Sequence, residues 1–141
     1  MKKLGIYLIF MSVMTQTVLA TENKISFNEV TSMARLEFFK IHAAMNNKVL
    51  LVYFHTYRCS YCEKMKNKTF VNSKVEEKIK KNYIVLSVDY SKYKKEFKKN
   101  FKLKATPAIL FFDTKGKLMD KSFYGYRDSN TFYKIIDSIV K

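Results

Sequence analysis

Two cysteines, Cys59 and Cys62, are the only ones among 141 residues, and they follow directly on the apolar run Val49-Leu50-Leu51-Val52-Tyr53-Phe54. That run shows no polar alternation, which predicts a strand buried on both faces. Glu63-Lys64-Met65-Lys66-Asn67-Lys68 comes next, with good helix formers and neither Gly nor Pro, so the pair stands where a strand hands over to a helix. A thiol in the first turn of a helix faces free backbone N–H groups and the positive end of the helix dipole, both of which favour thiolate. The second thiol is then positioned to close a disulfide with it.

Length bounds what can surround this junction. Without a leader the chain makes one domain with a single layered core. The formal charge of +15, from 27 basic and 12 acidic residues, is spread as lysines over most segments, the pattern of solvated faces. No zinc-ligand set, RNP-like aromatic motif or basic zipper accompanies it, so nucleic acid is not the expected partner.

The first twenty residues predict export. Lys2-Lys3 begin positively, Leu4 to Met14 are mostly apolar, and Val18-Leu19-Ala20 offers a small-residue cleavage site, the three parts of a secretory signal cut after Ala20. Thr15-Gln16-Thr17 interrupt the run short of the ~20 residues a membrane span needs. The expected organisation is a signal peptide over 1–20 and one domain over 21–141, with the mature protein in the periplasm.

In an oxidising compartment two cysteines commonly form a structural staple. A staple gains by closing a long loop, and this pair closes almost none. A zinc site needs about four ligands, and beyond the two thiols the histidines are only His42 and His55; no metal is expected. A redox-active dithiol is the reading that survives.

Along the chain, Ser26-Phe27-Asn28-Glu29 has the form of a capping box and predicts a helix start. Val30, Met33, Ala34, Phe38, Ile41 and Ala44 or Met45 recur at helical spacing as its inward stripe. A strand over Lys48 to Phe54 precedes the cysteine turn. The helix after it is expected to run to about Lys68 and to restart with Ser73 as cap and Val75 and Ile79 inward. Tyr83 to Asp89 reads as a second buried strand, parallel to the first because a helical crossover joins them. Ser91 to Phe101 predicts a helix with Tyr93, Phe97 and Phe101 on one face. Thr106-Pro107 precedes a strand over Ala108 to Phe112. Asp113 to Lys117 then turns into a fourth strand, Leu118 to Tyr124. Asp128 or Ser129 caps a last helix carrying Phe132, Ile135, Ile136 and Val140 inward. The fold class is therefore α/β, a central mixed sheet of four or five strands with helices on both faces.

From about Val49 to Val140 the chain resembles the thioredoxin superfamily, and most of all its small exported members. The resemblance rests on Cys59-x-x-Cys62 after the first core strand, Val88-Asp89 ending the second, Thr106-Pro107-Ala108 before the third, the Asp113 to Gly116 turn, and Tyr124-Gly125-Tyr126. It implies a cis Pro107 facing the dithiol, with the backbone of Thr106 pairing to a substrate chain and Ser60 and Tyr61 completing the active turn. The Thr106 hydroxyl either tunes the Cys59 thiolate or packs at the strand edge. Two departures stand out. The buried acid that the family carries on the first strand corresponds to Tyr53, and its lysine partner to Val85, so that proton relay is missing. Arg58 replaces the aromatic residue before the first cysteine, and its charge should lower the Cys59 pKa. Glu63 either accepts a proton near Cys62 or simply faces solvent; His55 either modulates the thiolate or packs beside the turn.

The resemblance implies a thiol-disulfide oxidoreductase working by dithiol-disulfide exchange, Cys59 attacking and Cys62 resolving, in the reducing or exchange direction. Its partners would be exported, cysteine-containing proteins and a membrane or periplasmic thiol-disulfide electron donor. It would act as a monomer with no cofactor beyond the Cys59–Cys62 disulfide. The competing expectation is a non-catalytic module of the same fold that binds partners through a basic, aromatic surface.

Overall fold

A computed structural model of the chain describes residues 24–141; the expected leader and its cleavage site lie outside the described residues. In chain order the elements are β1 (Asn28–Glu29), α1 (Met33–Met45), β2 (Val49–His55), α2 (Ser60–Lys64), a π-helical turn (Met65–Thr69), α3 (Ser73–Asn82), β3 (Tyr83–Asp89), α4 (Tyr90–Phe97), β4 (Ala108–Phe112), β5 (Phe123–Tyr124) and α5 (Ser129–Ile139). The strands form one mixed sheet in the order β1-β3-β2-β4-β5. β2 and β3 run parallel, with Val49 beside Tyr83 and His55 beside Asp89. β4 runs antiparallel to β2, bringing Ala108 opposite Phe54.

β2 is central, and its apolar side chains divide between two cores as a strand's two-residue period requires. Leu51 and Tyr53 join Val75, Ile79, Phe132 and Ile136 under α3 and α5. Leu50, Val52 and Phe54 join Leu36, Phe39 and Phe97 under α1 and α4. Helices thus cover both faces. Burying each large aliphatic or aromatic side chain contributes about 1.5–3 kcal/mol, which is why a strand of seven residues can anchor the whole sheet.

Six expectations are corrected. The capping-box segment at Ser26 does not start a helix: Asn28 and Glu29 pair in parallel with Leu86 and Ser87, and the Asn28 amide donates to the Val85 carbonyl. Ser32 caps α1 instead, its Oγ accepting from the Arg35 N–H at 3.3 Å. This moves the buried stripe of α1 to Leu36, Phe39 and Ala43. Phe38, Ile41 and Met45, expected inward, are 62, 63 and 81% exposed. The helix expected to run from the cysteine turn to Lys68 is α2 followed by a π-helical turn, where the Phe70 N–H reaches back to the Met65 carbonyl; Asn72, and not Ser73, caps α3. The fourth strand shrinks to Phe123–Tyr124, with one isolated bridge joining Leu118 to Phe112. The lysine-rich helix is also shorter than expected, ending as α4 at Phe97 with Phe101 beyond it.

Candidate active site

β2 delivers the chain to the sheet's upper edge at His55, and Thr56-Tyr57-Arg58 turn it into α2. Arg58 occupies the left-handed region at φ 58°, which costs a residue with a Cβ about 1–2 kcal/mol. The turn presents Cys59 as the N-cap of α2, where its Sγ accepts from the Cys62 N–H at 3.1 Å. Cys59 and Cys62 are disulfide-bonded, S–S 2.07 Å, with their Cα atoms 5.1 Å apart. The two sulfurs differ in setting: Cys59 is partly exposed, whereas Cys62 is 2% exposed and part of the core. An incoming group therefore meets Cys59 first, at a sulfur already aligned with the helix N–H groups that stabilise negative charge.

The loop before β4 faces this turn. The Thr106–Pro107 peptide is cis, and Pro107 is buried. The Thr106 hydroxyl lies 3.7 Å from the Cys59 sulfur and 2.9 Å from the Thr56 hydroxyl. With Thr106 donating to sulfur, Thr56 donates to Thr106, a relay that sharpens once the acceptor is a thiolate. The Pro107 carbonyl accepts from the Gly125 N–H at 2.7 Å, which ties the loop to the end of β5.

Beneath the couple, Tyr53 fills the position where the resemblance leads one to look for an acid. Its hydroxyl donates to the Cys62 carbonyl at 3.0 Å. Burial, with the Glu63 carboxylate nearby, pushes its pKa well above the ordinary tyrosine range, so it stays protonated. Beside it a cavity of about 140 Å³ is lined by Phe27, Tyr53, His55, Glu63, Lys66 and Ser87. His55 stacks on Tyr53 and bonds through Nε2 to the Ser87 hydroxyl at 3.0 Å. Burial lowers its pKa, opposed mainly by Asp89; the imidazole is neutral at pH 7. Glu63 is exposed, next to Cys62 in the chain, with its Oε2 accepting from the Asn67 amide. The fold thus brings Glu63 and His55, eight positions apart in the chain, to one cavity.

Arg58 is exposed, and its guanidinium lies over the Tyr57 ring at 5.2 Å. Ser60, the first residue of α2, is exposed. Tyr61 is 59% exposed and stacks on Tyr126 at 6.4 Å between ring centres. Two neighbours of the couple, Tyr57 and Lys64, escaped sequence reasoning. Tyr57 is 75% exposed, and the Lys64 ammonium sits 4.5 Å above the Tyr126 ring. Tyr126 carried a signal as part of Tyr124-Gly125-Tyr126 before the last helix, and Tyr53 carried one only as the place of a missing acid, not as the donor to the Cys62 carbonyl. Among the described residues, no group of three or more His, Cys, Asp or Glu side chains is arranged to hold a metal ion.

The family model of the thioredoxin-like domain matches residues 40–139. The thiol:disulfide interchange protein DsbD of Actinobacillus pleuropneumoniae is 31% identical over 121 residues, covering 83% of this chain and 20% of that protein. DsbD of Colwellia psychrerythraea is 29% identical, covering 82% and 20%. The chain spans about a fifth of the length of these curated relatives. Among solved structures, a poplar thioredoxin h superposes with a TM-score of 0.67 at 20% identity, covering 82% of this chain and 96% of that one. The C-terminal domain of Neisseria meningitidis DsbD in its oxidised form gives 0.63 at 15% identity, covering 80% and 98%. These structural likenesses show the shared fold.

Proposed function

Because this chain belongs to the thioredoxin-like family, we propose that it is a thiol-disulfide oxidoreductase in which Cys59 attacks and Cys62 resolves. The observation that carries the reading is the asymmetry of the couple: a partly exposed sulfur capping a helix, bonded to one that is 2% exposed. In the reduced protein, the Cys59 thiolate attacks one sulfur of a substrate disulfide. That S–S bond breaks, a mixed disulfide forms, and the first substrate thiolate leaves and is protonated. Cys62, losing its proton, then attacks the Cys59 sulfur and releases the second substrate thiolate. Two electrons pass from the couple to the substrate, whose two thiolates take up one proton lost by Cys62 and one from solvent, and the Cys59–Cys62 disulfide is regenerated.

Within this scheme Thr106 steadies the Cys59 thiolate, the Thr106–Pro107 loop seats the substrate chain, and Ser60 and Tyr61 shape the turn. Arg58 adds positive potential beside Cys59, while Glu63 and His55 border the cavity behind Cys62. The relatives named thiol:disulfide interchange proteins support the exchange chemistry. We assign the reducing or exchange direction, a periplasmic location after removal of residues 1–20, exported cysteine-containing proteins as substrates, and a membrane or periplasmic dithiol as electron donor. The protein works as a monomer and needs no cofactor besides its own disulfide.

The test is insulin-disulfide reduction with dithiothreitol as electron source. The wild-type protein should turn over and Cys59→Ser should not, while Cys62→Ser should accumulate a mixed disulfide through Cys59. Equal behaviour of wild type and Cys59→Ser would sink the exchange reading and leave a binding module of the same fold.

A further inference from the structure

The couple sits between two cation-capped tyrosines, one on each side of the central strand. On one side Tyr57 is 75% exposed, with the Arg58 guanidinium 5.2 Å from its ring centre. The Tyr57 N–H donates to the Ser91 hydroxyl at 2.7 Å, which fastens this flank to the start of α4, beyond β3. On the other side Tyr61 stacks on Tyr126 and the Lys64 ammonium lies 4.5 Å above the Tyr126 ring. Tyr126 follows β5, and the sheet order β1-β3-β2-β4-β5 sets β3 and β5 on opposite sides of β2. Cys59 follows β2, the strand that lies between these two anchors in the sheet.

Among the described residues, no carboxylate forms an ion pair with Arg58 or Lys64. Asp89 is spent on the first turn of α4, accepting from the Ser91 and Lys92 N–H groups, and pairs with the Lys92 ammonium at 3.6 Å. Asp128 does the same for α5, accepting from Asn130 and Thr131. Glu63 lines the cavity with His55 and Lys66 and accepts from Asn67. Tyr57 is exposed and Tyr126 partly exposed, and a cation held over such a ring sets a charge beside a flat apolar surface. Such a pair on each side of a reactive sulfur suits a chain that brings carboxylates alongside its disulfide.

We propose that the preferred substrates carry acidic residues beside their reactive cysteines, and that Arg58 and Lys64 read them from the two sides of Cys59. This rests on the exchange reading and specifies its substrate class. The chain's overall positive charge would draw any acidic partner; the local pair adds a preference that distant lysines do not supply.

Two synthetic peptides test this, each closed by a disulfide between its own two cysteines and identical except for aspartates or lysines beside them. The fully reduced protein is mixed with each, and the second-order rate of its oxidation is followed at low and at high salt. The aspartate peptide should react about tenfold faster at low salt, with the ratio shrinking as salt screens the charges. The double variant R58S/K64S should cut that ratio by about threefold or more. The ratio divides out any change in the intrinsic reactivity of Cys59. A control variant, K81S/K115S, removes two exposed charges beside the other end of the strands, where β2 begins and β4 ends, and should leave the ratio unchanged. Equal rates for the two peptides, or an equal drop in the control, would overturn the preference while leaving exchange intact. Failure to reduce either peptide would overturn exchange and the preference with it.

Discussion

The Tyr53 hydroxyl donates to the main-chain oxygen of Cys62 across 3.0 Å, from a side chain only 4% exposed, so the inner half of the couple rests on a phenol. The same carbonyl also accepts the Met65 N–H inside the helical run. Tyr53→Phe therefore strands no buried acceptor, and its cost should be that of one ordinary hydrogen bond, about 0.5–1.5 kcal/mol. A urea titration should show a lower midpoint with an unchanged slope. A loss above about 3 kcal/mol would contradict so modest a role.

Thr106 should tune Cys59 once the disulfide is reduced. Its hydroxyl is 3.7 Å from the Cys59 sulfur, and a donor to the charged form favours that form. Thr106→Val should raise the Cys59 thiol pKa by about one unit, equivalent to about 1.4 kcal/mol, and Thr106→Ser should restore it. The pH dependence of alkylation by iodoacetamide reads this out; superimposable profiles for wild type and the valine variant would refute the contact.

His55 gives stability a pH dependence of definite sign. Burial holds its pKa below the ordinary 6.5, so on acidification the unfolded chain takes up a proton at this ring before the folded one does. The stability it contributes is complete above about 6.5 and is lost as the pH falls through the lower folded-state value. Between pH 7.5 and 5.5 the wild-type protein should lose stability more steeply than His55→Gln. Parallel curves for the two would show that the ring is not protected from protonation.

The two apolar stripes of α1 make a clean contrast. Leu36 is fully buried and Phe38 is 62% exposed. Leu36→Ala should cost about 2–5 kcal/mol, and Phe38→Ala no more than about 0.5 kcal/mol, both measured by thermal or denaturant unfolding. Reversed magnitudes would restore the inward stripe that spacing alone suggests.

That contrast also marks how far the chain can be read without coordinates. β2, β3 and β4 were legible to within a residue, because each is dominated by an apolar run, interrupted in β3 only by Ser87 before its closing Asp89, and a strand covered on both faces tolerates such a run. The Cys59–Cys62 turn was legible for a related reason: two thiols at a strand-to-helix boundary leave few other uses. The start of α1 was not. Ser26-Phe27-Asn28-Glu29 satisfies the local chemistry of a helix cap, yet pairing Asn28 and Glu29 with β3 gives those backbone groups ladder bonds instead.

Local pattern, then, was enough for the buried strands, the alternation of element types and the placing of the cysteine pair, because each depends on neighbours close in the chain. Which side of α1 turns inward, the seat of Tyr53 under Cys62, the meeting of His55 with Glu63, and the tyrosine–cation flanks of Cys59 depend on contacts between separate elements. Leu36, Phe39 and Ala43 repeat at the same spacing as Phe38, Ile41 and Met45, with each set on the opposite side of the helix from the other. Two apolar stripes of equal period cannot be ranked by period. The β1 pairing and the Ser32 cap set the helix phase, and only assembly on the sheet supplies both.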